Sequence, residues 1–197
     1  MIIIYHRINS IKQLKKIPYK YGVEIDIRDY KNELILNHDP FKKGDKFLEY
    51  LKHFKHKFLI INIKSEGIEK KIFDILKKKK INNFFFLDVS FPFIVKLYSK
   101  MSKKIALRVS DLESIQTVKK LKKKSNWIWF DYFKKDEMKL QNIKTLKKMK
   151  FQICYVSHDL QNRKIKKKEI SFFKKNKLDM LIIKKEKINI WKKIFKH

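Results

Sequence analysis

A single cysteine, Cys154, is the whole thiol inventory of this chain. It excludes an internal disulfide and any cysteine-based zinc site. Glycine and proline number three each, so there is no Gly/Ser/Pro-rich linker. No Gly-rich phosphate turn follows the first apolar run either, as a nucleotide-binding doubly wound sheet would normally require. No stretch approaches the roughly 18 apolar residues of a spanning helix. The opening residues, Met1 to Arg7, hold an apolar run too short for a signal sequence, and no small-residue cleavage site follows. They read as a strand that begins at once, and the expected compartment is the cytoplasm. Arginine is also scarce: Arg7, Arg28, Arg108 and Arg163 stand against 47 lysines.

What the chain does have is charge, formally +31, alongside a hydrophobic fraction of 44% that suffices for a core. Lysine keeps company with abundant Ile, Asn and Phe, all encoded by A/T-rich codons. The excess therefore reads as compositional drift on solvated helix faces. A surface selected to grip phosphates in a defined geometry would use more arginine, whose planar fork pairs with them bidentately. The rival reading is attraction to nucleic acid or to an anionic membrane. No recognisable nucleic-acid motif accompanies the charge. The expected partners are thus a small anionic substrate, no specific nucleic acid, and at most peripheral attraction to anionic membrane.

Length allows one domain, expected to span residues 1–197. Short β-rich apolar runs recur at 2–5, 22–28, 33–38, 58–64, 83–89, 104–110, 127–132, 151–157 and 178–184. Lys-rich helical stretches fill 66–79, 91–100, 111–123, 138–149, 164–176 and 187–195. Ser110-Asp111 and Ser90 read as helix starts. Strands alternating with helices call for right-handed βαβ units and a parallel sheet. The fold class is α/β, a compact (β/α)8 barrel, with 33–38 forming a hairpin return after 22–28. A doubly wound open sheet is the rival, disfavoured by the missing glycine turn.

In Gly22-Val23-Glu24-Ile25-Asp26-Ile27-Arg28, alternation puts Glu24 and Asp26 on one face and the aliphatic residues on the other. Two carboxylates on one face of an apolar strand are costly unless a cation or several donors neutralise them. As hard oxygen ligands they suit Mg²⁺ or Ca²⁺, while a wet edge strand or pairing to Lys and Arg is the plainer alternative. Their company matters more. His6-Arg7 ends the first run, His38-Asp39 ends the hairpin return, and Asn62-Ile63-Lys64 ends the next run. In a (β/α) barrel these carboxyl ends converge on one mouth.

The ordered set His6-Arg7, Gly22-x-Glu24-x-Asp26, Leu34-Ile35-Leu36-x-His38-Asp39 and Ile61-Asn62-Ile63-Lys64 resembles the glycerophosphodiester phosphodiesterase family, of the phospholipase-C-like phosphodiesterase barrels. The resemblance covers about the first third of the chain. It implies metal-dependent cleavage of a glycerophosphodiester-like or polyol phosphodiester, with His6 and His38 as the general acid–base pair. Glu24, Asp26 and Asn62 would ligate Mg²⁺ or Ca²⁺, and Arg7 and Lys64 would hold phosphate oxygens. Three departures stand out. Ile8 occupies the position of the usual glycine, Asn9 to Tyr21 lacks the usual Pro-Glu-Asn-Thr stretch, and Asn62 replaces the third carboxylate. Asparagine can still ligate a hard cation but removes one negative charge. Glu66 is a nearby carboxylate that could substitute by reach. Asn62 therefore supports an alternative: a weakened barrel that binds a phosphorylated ligand or partner without turnover.

Later strand ends are polar too, at Asp88, Ser90, Ser110, Asp131, Tyr155, Ser157 and Lys184. Most of the Ser and Asp members read as helix caps. Arg108 is expected to bind substrate, because it follows an apolar strand where it could grip a phosphate bidentately. Phe84, Phe85, Phe86, Trp127, Trp129 and Phe130 read as barrel packing rather than a base-stacking platform.

Overall fold

The computed structural model describes residues 1–133, 140–176 and 178–195. Ten strands form one sheet. They are β1 (Ile2–Tyr5), β2 (Gly22–Tyr30), β3 (Glu33–Leu36), β4 (Asp45–Lys46) and β5 (Leu59–Ile63). After them come β6 (Phe84–Leu87), β7 (Ala106–Val109), β8 (Trp127–Phe130), β9 (Gln152–Val156) and β10 (Met180–Ile183). From β1, parallel pairing runs one way through β2 and β5 to β6, and the other way through β10, β9 and β8 to β7. A single parallel bridge, Phe86 to Ile105, joins the two ends. Eight parallel strands thereby close into the expected barrel. The two short strands β3 and β4 lie outside it, β3 antiparallel to the far half of β2 and β4 antiparallel to β3. Lys31 and Asn32 turn β2 into β3, both with positive φ (47° and 65°), the backbone twist that two-residue hairpin turns favour.

Helices cover the barrel: α1 (Ile11–Leu14), α2 (Phe47–Lys52), α3 (Glu69–Lys78), α4 (Phe91–Met101), α5 (Ile115–Lys120), α6 (Leu140–Lys148), α7 (Lys167–Lys175) and α8 (Ile188–Phe195). Six match expected helical stretches, although residues 138 and 139 of one lie outside the described residues. The short α1 and α2 and the strand β4 were not expected. The Ser110-Asp111 start needs correction. Helix α5 begins at Ile115, capped by Ser114, whose side chain accepts from the Gln116 N–H. Ser110 instead accepts from the N–H groups of Leu112 and Glu113, at 3.0 Å each, and holds a turn before the helix. At α4 the expected start holds, with Phe91 first in the helix and the Ser90 carbonyl accepting from the Ile94 N–H.

Strand alternation divides the core in two. The barrel interior holds Ile4, Phe58, Ile60, Phe85, Leu87, Ala106, Trp127, Trp129, Cys154, Val156, Met180 and Ile182. The layer between strands and helices takes the opposite parity, including Val23, Ile25, Ile27, Ile61, Leu107, Ile128 and Leu181. The strand aromatics are buried as expected; Trp127 and Phe85 pack at a centroid distance of 5.0 Å. Gly22 is required by space: a Cβ there would sit 2.3 Å from Ile4 Cδ1 and 2.9 Å from the Phe58 carbonyl oxygen. Among the described residues, no helix is long and apolar enough to cross a membrane.

Candidate functional site

Two positions beyond the apolar floor, the inward-facing parity turns polar at the carboxyl ends of several strands. Ile4 gives way to His6, Ile60 to Asn62, Ala106 to Arg108 and Ile182 to Lys184. On β2 the polar residues begin one layer lower, at Glu24, and continue at Asp26. Both are wholly buried. They stand on the face opposite Val23, Ile25 and Ile27, as the alternation requires.

The chain after β1 is folded around these carboxylates. Arg7 adopts φ 51°, an uncommon left-handed conformation for a residue with a side chain. It aims its N–H at Glu24 Oε2, 2.8 Å away. The His6 Nε2 lies 3.8 Å from the same oxygen, and Arg7 Nε lies 3.8 Å from Asp26 Oδ2. Asn9 then exchanges two 2.8 Å hydrogen bonds with Asp26, its amide donating to Oδ2 and its carbonyl accepting the Asp26 N–H. Ile8, standing where a glycine was expected, is buried; its N–H donates to the Glu24 carbonyl and its own carbonyl accepts from Tyr50 Oη. The first loop is thus tightened rather than opened. From β5, Asn62 stands in register with Asp26, and Lys64 reaches back to 3.5 Å from Asp26 Oδ1.

Burial pushes the Glu24 carboxyl up to about 8, with the Asp26 charge adding to the effect. The Arg7 N–H, the Asn62 side chain and the Lys64 charge offset part of it. Burial, followed by the Arg7 charge, lowers His6 to about 4 against the opposing pull of Asp26. Among the described residues, three buried oxygens of this site lack a hydrogen-bond partner, Glu24 Oε1, Asp26 Oδ1 and Asn62 Oδ1; Glu69 Oε1 and Glu169 Oε2 do so elsewhere. Buried polar atoms are nearly always paired. Three orphaned hard acceptors on two adjacent strands therefore fit a hard divalent cation, which prefers oxygen ligands. The set is two carboxylates and an amide. Among the described residues, no group of three or more His, Cys, Asp and Glu side chains is arranged to hold a metal.

The other expected residues fall at different places. His38 follows β3 with a half-exposed ring, its Nδ1 3.0 Å from Asp39 Oδ1. Arg28 braces this turn by donating to the carbonyls of Asn37 and His38, and the Asn37 N–H reaches the Asp26 carbonyl. The two imidazoles are close enough for the charge of one to disfavour protonation of His6. Glu66 is exposed, and its carboxylate accepts a hydrogen bond from Ser90 Oγ. Arg108 lies across the mouth with its charge already matched by Asp88 at 2.5 Å, Asp131 at 3.1 Å and Glu113 at 3.5 Å. Asp88, itself at φ 58°, links the two sides through Lys64 at 3.8 Å. Asn9 is the residue that reading the sequence missed. Its partner is 17 positions away, and nothing local distinguishes it from other asparagines.

No protein-family model matches the sequence, and no curated protein matches it. Solved structures do resemble it. A proposed glycerophosphoryl diester phosphodiesterase from Agrobacterium tumefaciens superposes with a TM-score of 0.69 at 10% identity, over 100% of this chain and 99% of that one. A glycerophosphodiester phosphodiesterase from the same organism gives 0.63 at 12% identity, over 92% and 96%. A glycerophosphoryl diester phosphodiesterase from Parabacteroides distasonis gives 0.62 at 10% identity, over 92% and 81%. At such identities the likeness is one of fold. It is the same barrel that the order of the motifs had implied.

Proposed function

We propose that this chain is a divalent-cation-assisted phosphoric diester hydrolase acting on a glycerophosphodiester-like or polyol phosphodiester. The observation that carries the reading is the set of unpartnered oxygens of Glu24, Asp26 and Asn62 beside His6, Arg7 and Lys64 at the carboxyl ends of β1, β2 and β5. The shared fold with glycerophosphodiester phosphodiesterases supports it.

Glu24, Asp26 and Asn62 would hold the Mg²⁺ or Ca²⁺. Bound there, the ion would polarise a phosphoryl oxygen and neutralise charge as the diester is attacked. Arg7 and Lys64 supply fixed positive charge for the remaining phosphate oxygens, the kind of pre-oriented stabilisation that contributes most in a water-poor site. His6 and His38 are the proton-transfer pair. One accepts the proton of the attacking water or neighbouring hydroxyl, and the other gives a proton to the leaving alkoxide. With His38 Nδ1 engaged by Asp39, its Nε2 is the atom left for that transfer. Arg108, held by three carboxylates, acts on the phosphate through Asp88 and Lys64, as a positioning residue.

The test is release of alcohol from glycerophosphodiesters with Mg²⁺ or Ca²⁺. His6→Ala and His38→Ala should each lower kcat by about 10²–10⁴, the usual worth of a positioned acid or base. Full activity in both variants overturns the mechanism. Asn62 favours a second reading, a barrel that binds a phosphorylated ligand without turnover. Asn62→Asp separates the two. Gains in both cation affinity and turnover mark a weakened site, whereas lost turnover makes asparagine part of the working chemistry.

A further inference from the structure

The barrel has one weak seam. Every other neighbouring pair of parallel strands shares a ladder, whereas β6 and β7 meet at the Phe86–Ile105 bridge alone. Beside that seam lies a cleft of about 420 Å³, within the range of small-molecule sites. Its walls come from both cores: Leu87 and Ala106 belong to the barrel interior, and Leu107 and Val118 to the outer layer. The cleft therefore lies along the seam itself. At its rim Phe91 is 57% and Leu112 61% exposed. These are large apolar side chains left in water.

The cleft's polar end belongs to the mouth already described. Asp88 and Arg108 both line it, and Asp88 stands 3.8 Å from Lys64, which in turn stands 3.5 Å from Asp26. One chain of ion pairs thus spans the distance from the orphaned oxygens to an apolar slot. An occupant of both places needs a phosphate at one end and a single aliphatic arm at the other.

We propose that the seam cleft binds the aliphatic chain of the substrate. The protein then prefers a phosphodiester bearing one aliphatic chain, of the single-chain phospholipid type, over a fully water-soluble glycerophosphodiester. The proposal rests on the phosphodiester reading for its headgroup and on the cleft for its chain.

The test titrates the full-length protein, in the presence of Mg²⁺, with hexyl-, octyl- and decyl-phosphocholine, each kept below its micelle concentration. Binding is read calorimetrically. If the chain enters the cleft, affinity rises about fourfold per methylene, the fold-change equivalent to about 0.8 kcal/mol for each buried CH₂. In Leu112→Glu that dependence should flatten. Thr117→Trp, which fills the exposed edge of the cleft, should flatten it without introducing charge. Equal affinity for all three probes overturns the proposal; if glycerophosphocholine is still cleaved, the phosphodiesterase reading survives that result. A steep dependence lost in both variants, with no cleavage of any diester, supports the cleft and removes the hydrolase. Concentration-dependent dimers that Leu112→Glu dissolves would mean that the exposed rim covers a second copy, which also overturns the proposal.

Discussion

The two sides of the barrel mouth use the same kinds of residue in opposite ways. On the side of β1, β2 and β5, buried carboxylates keep oxygens without hydrogen bonds, and Glu24 is pushed toward its neutral form. On the side of β7, β8 and β9, the strand-end aspartates are met, although deeper behind β9 the His158 ring, Arg163 Nε and Glu169 Oε2 lack hydrogen bonds. Asp131 accepts from Arg108, from the Trp129 indole, from the Tyr132 N–H and from the Gln161 amide. Asp159 accepts from Ser157 Oγ and from the Lys184 N–H. A satisfied polar network rigidifies the fold, whereas a half-satisfied one costs stability and persists only where something else selects for it. Lys64 and Asp88 stand at the boundary between the two.

The contrast can be broken first on the satisfied side. Asp131→Ala should cost about 3 kcal/mol in a urea melt, because it leaves Arg108 with one fewer counter-charge in a partly buried site. Asp88 and Glu113 remain, which keeps the loss at the low end for such changes. An unchanged midpoint would mean that the network is ornamental. On the orphaned side the sign should reverse. Glu24→Gln in the metal-free protein should raise stability at pH 8 by about 1–3 kcal/mol, by removing a buried, incompletely paired charge. It should also abolish cation binding. The pH dependence sharpens this point. Glu24 is raised from its ordinary 4.5 to about 8, so its contribution is fully present below about 4.5 and is lost as pH rises through 8. Melts of the wild type across that window should show the decline, and Glu24→Gln should flatten it.

Asn9→Ala tests whether Asp26 needs its bracket. Two hydrogen bonds vanish, and a loss of about 1–2 kcal/mol is expected by chemical denaturation, with cation affinity lowered as Asp26 is freed to turn. A neutral result would make the pairing incidental. The smallest effect belongs to Cys154, in the barrel interior. It is fully buried and its thiol is pushed well above the ordinary range by burial. Thiol reagents should leave it untouched in native buffer and label it only in denaturant. Rapid native labelling would show that the interior opens.

Much of this was legible before folding was considered. Apolar runs announced nine of the ten strands, because a strand buried on both faces must be apolar nearly throughout. The strand β4 and the helices α1 and α2 escaped because two to six residues carry no measurable periodicity. His6, Glu24, Asp26, Asn62 and Lys64 were visible as polar interruptions at strand ends. Their neighbour Asn9 was not, since its value lies wholly in a partner 17 residues away. Arg108 was legible as an unusual residue, but its three carboxylates come from just after β6, just after β8 and the loop before α5 and could not be counted from the chain.

Composition and alternation thus determined by themselves that this chain buries a parallel sheet under lysine-coated helices, with acids and imidazoles placed at strand ends. Tertiary structure alone decided which of those acids are answered and which are left bare, and that the wall is thin between β6 and β7. The reason is physical: which face a side chain takes follows from a period of two along its own strand, whereas partnership and gaps depend on elements that meet only once the barrel has closed.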